Sequence, residues 1–325
     1  MKRKININIS EHQKLYRPTF FALLDSLTQA RATKGEVLIM NVHDASILCD
    51  ASLEESKGNS DKMVFCSNRV LNVDFIGVET DEGHGYFETE GLGTLPIEVI
   101  MPVISYLAFG ENGYQPTDIL EWDGSSITLE DAFVKGQFEP LVSVIKQLFP
   151  RSIDQLLYGF LYSLGIIPVE LDKDPSDLKE LMRKECYDYL MLDLLNQVAL
   201  GKGIFDKPLD IDEPDRLIVS SENVQMLKDT LRKSGNNIFA KINANGENNI
   251  SGYTFVTKQD GRRNRHICFL GYFPVDTPKY GIMVWMKRKE QLQDVVCDEW
   301  PELGEYVSDV CKRIADYLMK NESNQ

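Results

Sequence analysis

The sequence predicts an α+β fold, an α/β sandwich in which one antiparallel sheet carries helices on both faces and is joined to a helical lobe. The first observation is a pair of almost uninterrupted apolar runs near the C-terminus, Ile267–Phe273 and Gly281–Met286. Such runs are typical of strands that are covered on both faces. The second observation is the order of predicted elements: a helix and two strands, then a helical block, then strands and a last helix. This order indicates that both ends of the chain build one sheet.

The N-terminal part predicts a helix followed by a β-hairpin. The capping-box pattern Ser10-Glu11-His12-Gln13 begins a helix that is expected to run to about Ala30. Val37–Val42 and Ile47–Cys49 then flank the turn residues His43-Asp44-Ala45-Ser46, which is typical of a hairpin. The polar residues 51–62 and the glycine-rich residues 74–93 are predicted loops.

The middle of the chain predicts mainly helices. The stretch from Thr94 to Phe109 is apolar on almost all sides, which predicts one buried helix. Thr94 would cap that helix, Pro96 would lie near its first turn and Pro102 would bend it. Further helices are predicted at about 129–148, 152–163, 176–200 and 221–233.

The C-terminal part predicts strands and a closing amphipathic helix. Strands are expected at 238–242 and 251–257, before the apolar pair of strands. Pro274 and Pro278 cannot donate to a ladder, so they confine the turn between that pair. The apolar residues then recur at helical spacing from Leu303 to Leu318, which predicts the last helix.

The C-terminal turn also carries a family resemblance. The pattern F-x-G-Y-F-P-x-D-x-P-K-Y at Phe269–Tyr280 resembles the C-terminal hairpin of penicillin-binding protein transpeptidases, in particular the cell-division type. Gly35–Val42 is similar to the first strand of that family. The resemblance implies a single β-lactamase/transpeptidase-like domain over 1–325, with a sheet lobe at about 1–73 and 204–325 and a helical lobe at about 90–203. It also implies a bacterial protein linked to peptidoglycan or cell division.

The family's nucleophile motif is altered in this chain. In the family, a Ser-x-x-Lys on a buried helix supplies the acylating serine and the lysine that takes its proton. The corresponding slots hold Thr94 and Ile97, or Gly93 and Pro96 if the alignment moves by one residue. Neither alignment contains the lysine, so the hydroxyl has no neighbouring lysine that could accept its proton.

The two other family motifs are altered as well. The Ser-x-Asn slot falls at Gly136-Gln137-Phe138, and the Lys-Thr-Gly slot falls at Lys241-Ile242-Asn243. Lys241 is retained, whereas the hydroxyl and the glycine are replaced. The resemblance therefore implies a pseudoenzyme that binds a peptide or protein in a degenerate cleft. No cofactor or metal is expected. The candidate residues of the binding cleft are Thr94, Gln137, Lys241 and Asn243.

Three short patterns elsewhere keep an active enzyme open as the alternative. Ser143-Val144-Ile145-Lys146 matches Ser-x-x-Lys, Ser221-Glu222-Asn223 matches Ser-x-Asn, and Lys233-Ser234-Gly235 is similar to Lys-Thr-Gly. The alternative is a serine acyltransferase or hydrolase, of transpeptidase or β-lactam-binding type, with Ser143 as a displaced nucleophile and Lys146 as its base. The other two patterns also fit the two ends of one helix. An enzyme of different chemistry in the old cleft is a third hypothesis.

Charge and composition restrict the partners. The formal net charge of −15 argues against nucleic acid, because affinity for phosphate backbones depends on lysine and arginine. No apolar run reaches the roughly 20 residues needed to cross a bilayer. The expected location is the cytoplasm for the chain as written, or the periplasm if an N-terminal anchor was removed. Arg262–Arg265 with Lys287–Lys289 could form a basic patch. The expected free thiols are Cys49, Cys66, Cys186, Cys268, Cys297 and Cys311.

Overall fold

The computed structural model describes residues 9–30, 32, 34–55, 63–66, 93–148, 153–166, 178–206, 216–240, 249–257, 264–289 and 300–322. The helices are α1 (Ile9–Ala30), α2 (Met101–Glu111), α3 (Leu129–Val134), α4 (Phe138–Leu148), α5 (Ile153–Ser163), α6 (Leu178–Arg183), α7 (Asp188–Leu200), α8 (Ser221–Ala240) and α9 (Trp300–Glu322). The strands are β1 (Lys34–Asn41), β2 (Ile47–Glu55), β3 (Met63–Cys66), β4 (Thr94–Pro96), β5 (Ile119–Trp122), β6 (Ser125–Thr128), β7 (Glu185–Tyr187), β8 (Ile204–Asp206), β9 (Arg216–Val219), β10 (Ser251–Val256), β11 (Asn264–Phe273) and β12 (Tyr280–Lys289). A short 3₁₀ helix spans Ile97–Val99.

The main sheet joins the two ends of the chain, as the order of elements predicts. Its six antiparallel strands lie in the order β10-β11-β12-β1-β2-β3. The link between the ends is the pairing of β1 with β12, in which Val37 lies opposite Val284. The predicted α+β fold with an antiparallel sheet is confirmed.

The two faces of this sheet belong to two separate cores. We call the face that carries Leu38, Leu270 and Met283 the inner face; these residues pack in the core that also holds α2, α3 and α7. The opposite, outer face packs against α1 and α9 and carries, among others, Val37, Phe269 and Val284. Because both faces of β11 and β12 are covered, these strands show no alternation of polar and apolar residues.

The predicted single helix over Thr94–Phe109 is wrong. Thr94–Pro96 forms β4, which pairs with β7, and α2 begins only at Met101. Pro102 consequently lies in the first turn of α2, where its missing amide hydrogen costs nothing and no bend results. The strand pairing satisfies backbone groups of Thr94–Pro96 that a helix would otherwise have satisfied.

Glycine positions explain further differences from the predicted helices. Gly136, with φ +68°, separates α3 from α4 inside the predicted helix 129–148. Gly201, with φ +66°, ends α7 at the C-terminal boundary predicted for the helix 176–200. Gly235 was predicted to end a helix, but α8 continues to Ala240 and replaces the start of the predicted strand 238–242. A Cβ at Gly235 would lie 3.0 Å from the Cα of Ser251, so this glycine permits close packing of α8 on β10.

The other predicted elements have mixed outcomes. The N-terminal hairpin is confirmed, and Ala45 adopts a positive φ of 56° in its turn. β2 extends to Glu55, beyond the predicted boundary, and the predicted helix 176–200 is divided into α6, β7 and α7. Most of the predicted loops 51–62 and 74–93 lies outside the described residues. Among the helices described, none is both long and apolar enough to span a membrane.

Candidate functional site

The predicted cleft region lies where the edge strand β10 meets the helices on the inner face. Tyr253 of β10 lies opposite Leu270 in the sheet, so its side chain belongs to the inner face. Tyr253 is fully buried, and its ring centroid lies 5.4 Å from that of Phe133 on α3 and 5.7 Å from that of Phe138 on α4. Phe255 stacks on Phe138 at 5.6 Å. We call Phe133, Phe138, Tyr253 and Phe255 the aromatic cluster.

Tyr253 also connects β10 to the segment that leads into α2. Its hydroxyl donates a hydrogen bond of 2.8 Å to the backbone carbonyl of Val99, in the 3₁₀ helix. Burial raises the pKa of Tyr253 well above its usual value, so the phenol stays neutral and keeps its proton for this bond. The ring and hydroxyl of one residue thus bridge the sheet edge and the start of α2.

The predicted Ser-x-Asn slot lies at this same junction. Gly136 and Gln137 are exposed between α3 and α4, and Phe138 is only 8% exposed inside the aromatic cluster. In place of an asparagine amide, the slot presents an apolar ring to β10. Compared with the family's Ser-x-Asn motif, the junction has more apolar packing here and one hydrogen-bonding side chain fewer.

The predicted Ser-x-x-Lys slots do not lie on a helix. Thr94 is in β4, where its hydroxyl donates a 2.8 Å hydrogen bond to Glu185 on the facing strand β7. Ile97 is fully buried in the 3₁₀ helix. The expectation that a helix presents both side chains on one face is therefore wrong for Thr94 and Ile97, because the chain there is a strand followed by a 3₁₀ turn.

Sequence reasoning missed Glu98, which lies between those slots and α2. Glu98 is the only carboxylate in residues 93–110, and it is partly buried. Burial raises the pKa of Cys268 on β11, and the nearby charge of Glu98 raises it further. This effect places the Glu98 carboxylate near the inner face of the sheet. A charged residue inside an otherwise apolar run was the available signal.

The structure does not describe the predicted Lys-Thr-Gly slot. Lys241 and Asn243 lie outside the described residues, directly after the end of α8. The strand that precedes the final hairpin is β10, and its residues Ser251-Gly252-Tyr253 include a hydroxyl and a glycine but no lysine. A Cβ at Gly252 would overlap the carbonyl oxygen of Leu270, so this glycine is required by the sheet itself.

The three alternative motifs lie on two helices, one on α4 and two on α8. Ser143 is partly buried on α4, and the side chain of Lys146 lies outside the described part of the chain. The Asn223 side chain donates a 2.7 Å hydrogen bond to Glu111, which also accepts from the backbone amide of Ser220. Lys233 pairs with Glu130 on α3. These contacts join α8 to its neighbours and need no ligand.

Among the residues that the structure describes, no group of three or more His, Cys, Asp or Glu side chains is arranged to hold an ion. The junction therefore offers the carboxylate of Glu98, the exposed amide of Gln137 and exposed backbone groups. Its interior is filled by the aromatic cluster.

Comparisons with known proteins were made at the levels of sequence and of fold. No protein-family model matches the sequence, and no curated protein matches it. The transpeptidase domain of FtsI4 D,D-transpeptidase from Legionella pneumophila aligns with a TM-score of 0.60 at 14% identity, over 95% of this chain and 99% of that domain.

Two further structures are similar. The transpeptidase domain of penicillin-binding protein 3 from Burkholderia pseudomallei has a TM-score of 0.62 at 13% identity, over 95% of this chain and 94% of that chain. A peptidoglycan synthetase from Bifidobacterium adolescentis has a TM-score of 0.64 at 13% identity, over 94% of this chain and 59% of that chain. The chain therefore has the transpeptidase fold of penicillin-binding proteins, and at such identities the likeness concerns the fold alone.

Proposed function

We propose that this chain, with its transpeptidase fold, is a catalytically inactive homologue that acts as a binding or scaffolding protein in cell-wall or division machinery. The observation that carries the proposal is the position of Tyr253. Its side chain fills the junction between β10 and the start of α2, where the family resemblance expects an open cleft. The fully buried ring of Tyr253 therefore occupies the space between β10 and α2.

The chemistry of acyl transfer supports the same proposal. A hydroxyl nucleophile needs a base within hydrogen-bonding distance, and in this fold that base is a lysine on the nucleophile's helix. No lysine occurs in residues 93–111 or 249–256. The hydroxyl of Thr94 is bonded to Glu185, on the side of β4 that faces β7. The lack of a lysine in these two ranges and the hydrogen bond of Thr94 to Glu185 both support the proposal of an inactive protein.

A binding role is proposed for the polar rim of this junction. Gln137 is exposed beside the aromatic cluster, and Lys241 and Asn243 follow α8, whose C-terminal half packs on β10. We propose that these three residues, with Thr94, contact a peptide or protein and that Lys241 pairs with one of its carboxylates. The names of the similar structures, which refer to peptidoglycan synthesis and penicillin binding, support a ligand from the cell wall or its synthetic machinery.

Covalent labelling tests the absence of catalysis. The purified chain is incubated with a fluorescent penicillin, and its intact mass is measured beside an active transpeptidase as the positive control. We expect no mass increase for this chain. Labelling that disappears in Ser143→Ala would instead establish Ser143, with Lys146, as a displaced nucleophile. Labelling that disappears in Thr94→Ala would show that the original slot still reacts.

Binding is tested separately, with a soluble peptidoglycan stem peptide that ends in a carboxylate. Calorimetric titration should give weak but measurable binding, and Lys241→Ala should reduce the affinity about tenfold through loss of a charge-assisted hydrogen bond. Lys135→Ala is the control, because Lys135 already pairs with Asp131 on the exposed surface of α3. Equal binding by both variants would contradict the role of Lys241.

A further inference from the structure

Three buried polar side chains lie close together on the inner face, beyond the aromatic cluster. Ser251 of β10 lies opposite Tyr272 of β11, and Tyr272 lies opposite Gly281 of β12. Asn196 of α7 packs on the same row, because a Cβ at Gly281 would overlap the amide of Asn196. The exposed fractions of Ser251, Tyr272 and Asn196 are 0%, 0% and 1%.

The polar atoms of these side chains have no hydrogen-bond partner in the protein. The atoms concerned are Oγ of Ser251, Oη of Tyr272, and both Nδ2 and Oδ1 of Asn196. Buried polar atoms in native proteins nearly always have a partner, which is either another protein group or ordered water. Four such atoms in one row point to a ligand that supplies several hydrogen bonds at once.

The Ser251 and Tyr272 hydroxyls belong to residues that lie opposite each other in the paired strands β10 and β11. The pKa of Tyr272 is raised to about 12, mainly by burial, and the neighbouring Ser251 hydroxyl limits that rise.

One side of the row lies near charged residues of α8. The charges of Asp229 and Arg232 on α8 act on the Tyr272 hydroxyl, so that hydroxyl points toward α8. Arg232 forms a 3.1 Å ion pair with Asp276, and both side chains are more than half exposed. The row therefore lies beneath a charged and exposed part of the surface.

We propose that Asn196, Ser251 and Tyr272 together form an internal water-binding site that connects α7 to β10 and β11. Water fits this set because each hydroxyl can donate and accept, and the amide offers one donor group and one acceptor. A metal cation would require carboxylates, and an anion would require cationic donors, whereas the three side chains of this row are neutral. A site with two to four polar partners is what an internal water needs. The site does not depend on whether the chain is catalytic.

A high-resolution crystal structure of the full chain is the direct test. We expect ordered solvent density within hydrogen-bonding distance, roughly 2.7–3.2 Å, of at least two of the three side chains. A dry row in which the same side chains bond directly to one another would overturn the proposal. Density for a larger solute would identify a different ligand and would also overturn it.

A double-mutant cycle tests the shared water in solution. Ser251→Ala and Tyr272→Phe should each lower the folding equilibrium constant several-fold, and the double variant should lower it by much less than the product of the two effects, because one water serves both hydroxyls. The control pairs Tyr272→Phe with Ser308→Ala, a buried serine of α9 that bonds to Gly304 on the outer side of the sheet. The control effects should multiply. Effects that also multiply for Ser251 and Tyr272 would overturn the proposal, as would coupling accompanied by a dry row in the crystal.

Discussion

The hydroxyl of Tyr253 donates a 2.8 Å hydrogen bond to the carbonyl of Val99, 154 positions away in the sequence. This bond holds the edge strand β10 against the segment that begins α2, and the Tyr253 ring fills the space between them. The relationship accounts for both the closed junction and part of the stability of the fold.

Tyr253 variants should separate the two contributions. Tyr253→Phe removes the hydrogen bond and should lower the free energy of unfolding by about 1 kcal/mol. Tyr253→Ala also removes the buried ring and should lower it by roughly 3–5 kcal/mol. Urea denaturation measures both values. Tyr162→Phe, at a side chain that is 50% exposed, is the control and should unfold like the wild type. A wild-type midpoint for Tyr253→Ala would mean that the aromatic cluster does not stabilise the junction.

The central position of β11 makes its outer face sensitive to substitution. Phe269 is fully buried and its ring lies 5.5 Å from that of Phe239 on α8. Phe269→Asp would bury an unpaired charge and should cost several kcal/mol, on the order of 4 or more. Thermal melting checks this, and normal melting would place the hairpin at the periphery.

Two glycines near the same strands form a matched pair for overpacking. A Cβ at Gly271 would overlap the carbonyl oxygen of Ser251, so Gly271→Val should destabilise by at least about 1–3 kcal/mol. A Cβ at Gly304 on α9 would meet nothing closer than 3.8 Å, so Gly304→Ala should be neutral or stabilise by up to about 1 kcal/mol. Equal destabilisation by both substitutions would contradict the packing described for Gly271.

His266 should make the stability depend on pH. Its pKa is lowered to about 4, first by burial and then by the positive charges of Lys287 and Lys34. Between that value and about 6.5 the unfolded chain binds more protons than the folded chain, so the free energy of unfolding falls as the pH falls through this window. The loss attributable to His266 should be on the order of 2–3 kcal/mol.

Denaturation at a series of pH values measures this effect. His266→Phe should flatten the curve between pH 6.5 and about 4, while stability near pH 8 changes less. His43→Gln, at an exposed turn, is the control and should follow the wild-type curve. If His266→Phe also followed the wild-type curve, other groups would have to account for the acid sensitivity.

The buried thiols should be unreactive in the folded protein. Burial raises the pKa of Cys49 to about 12 and also raises the pKa values of Cys268 and Cys311. A thiol reacts as its thiolate, so iodoacetamide should leave these three residues unmodified until denaturant is added. Peptide mass spectrometry reads the modification at each position. Modification of Cys268 under native conditions would show that β11 opens locally.

Several features were determined by the sequence itself because they depend on local patterns. The doubly covered strands β11 and β12 follow from uninterrupted apolar runs, and the turn at 43–46 follows from its residue types. The assignment of Gly136-Gln137-Phe138 to the Ser-x-Asn slot stays a prediction from the family resemblance; the structure shows that Phe138 packs on Tyr253 of β10. The missing lysine at the Thr94 and Ile97 slots was also visible in the sequence alone.

Other features were decided only by the tertiary structure, because they depend on partners far away along the chain. Periodicity predicted one helix from Thr94, but the backbone there pairs with Glu185–Tyr187, about 90 positions later, and forms a strand. Glycine is the residue type expected at a helix end, yet Gly235 lies within α8. It is needed there because β10 packs closely against the helix at this position. The burial of Tyr253 followed in the same way, since its hydrogen-bond acceptor and its aromatic neighbours belong to segments that only folding brings together.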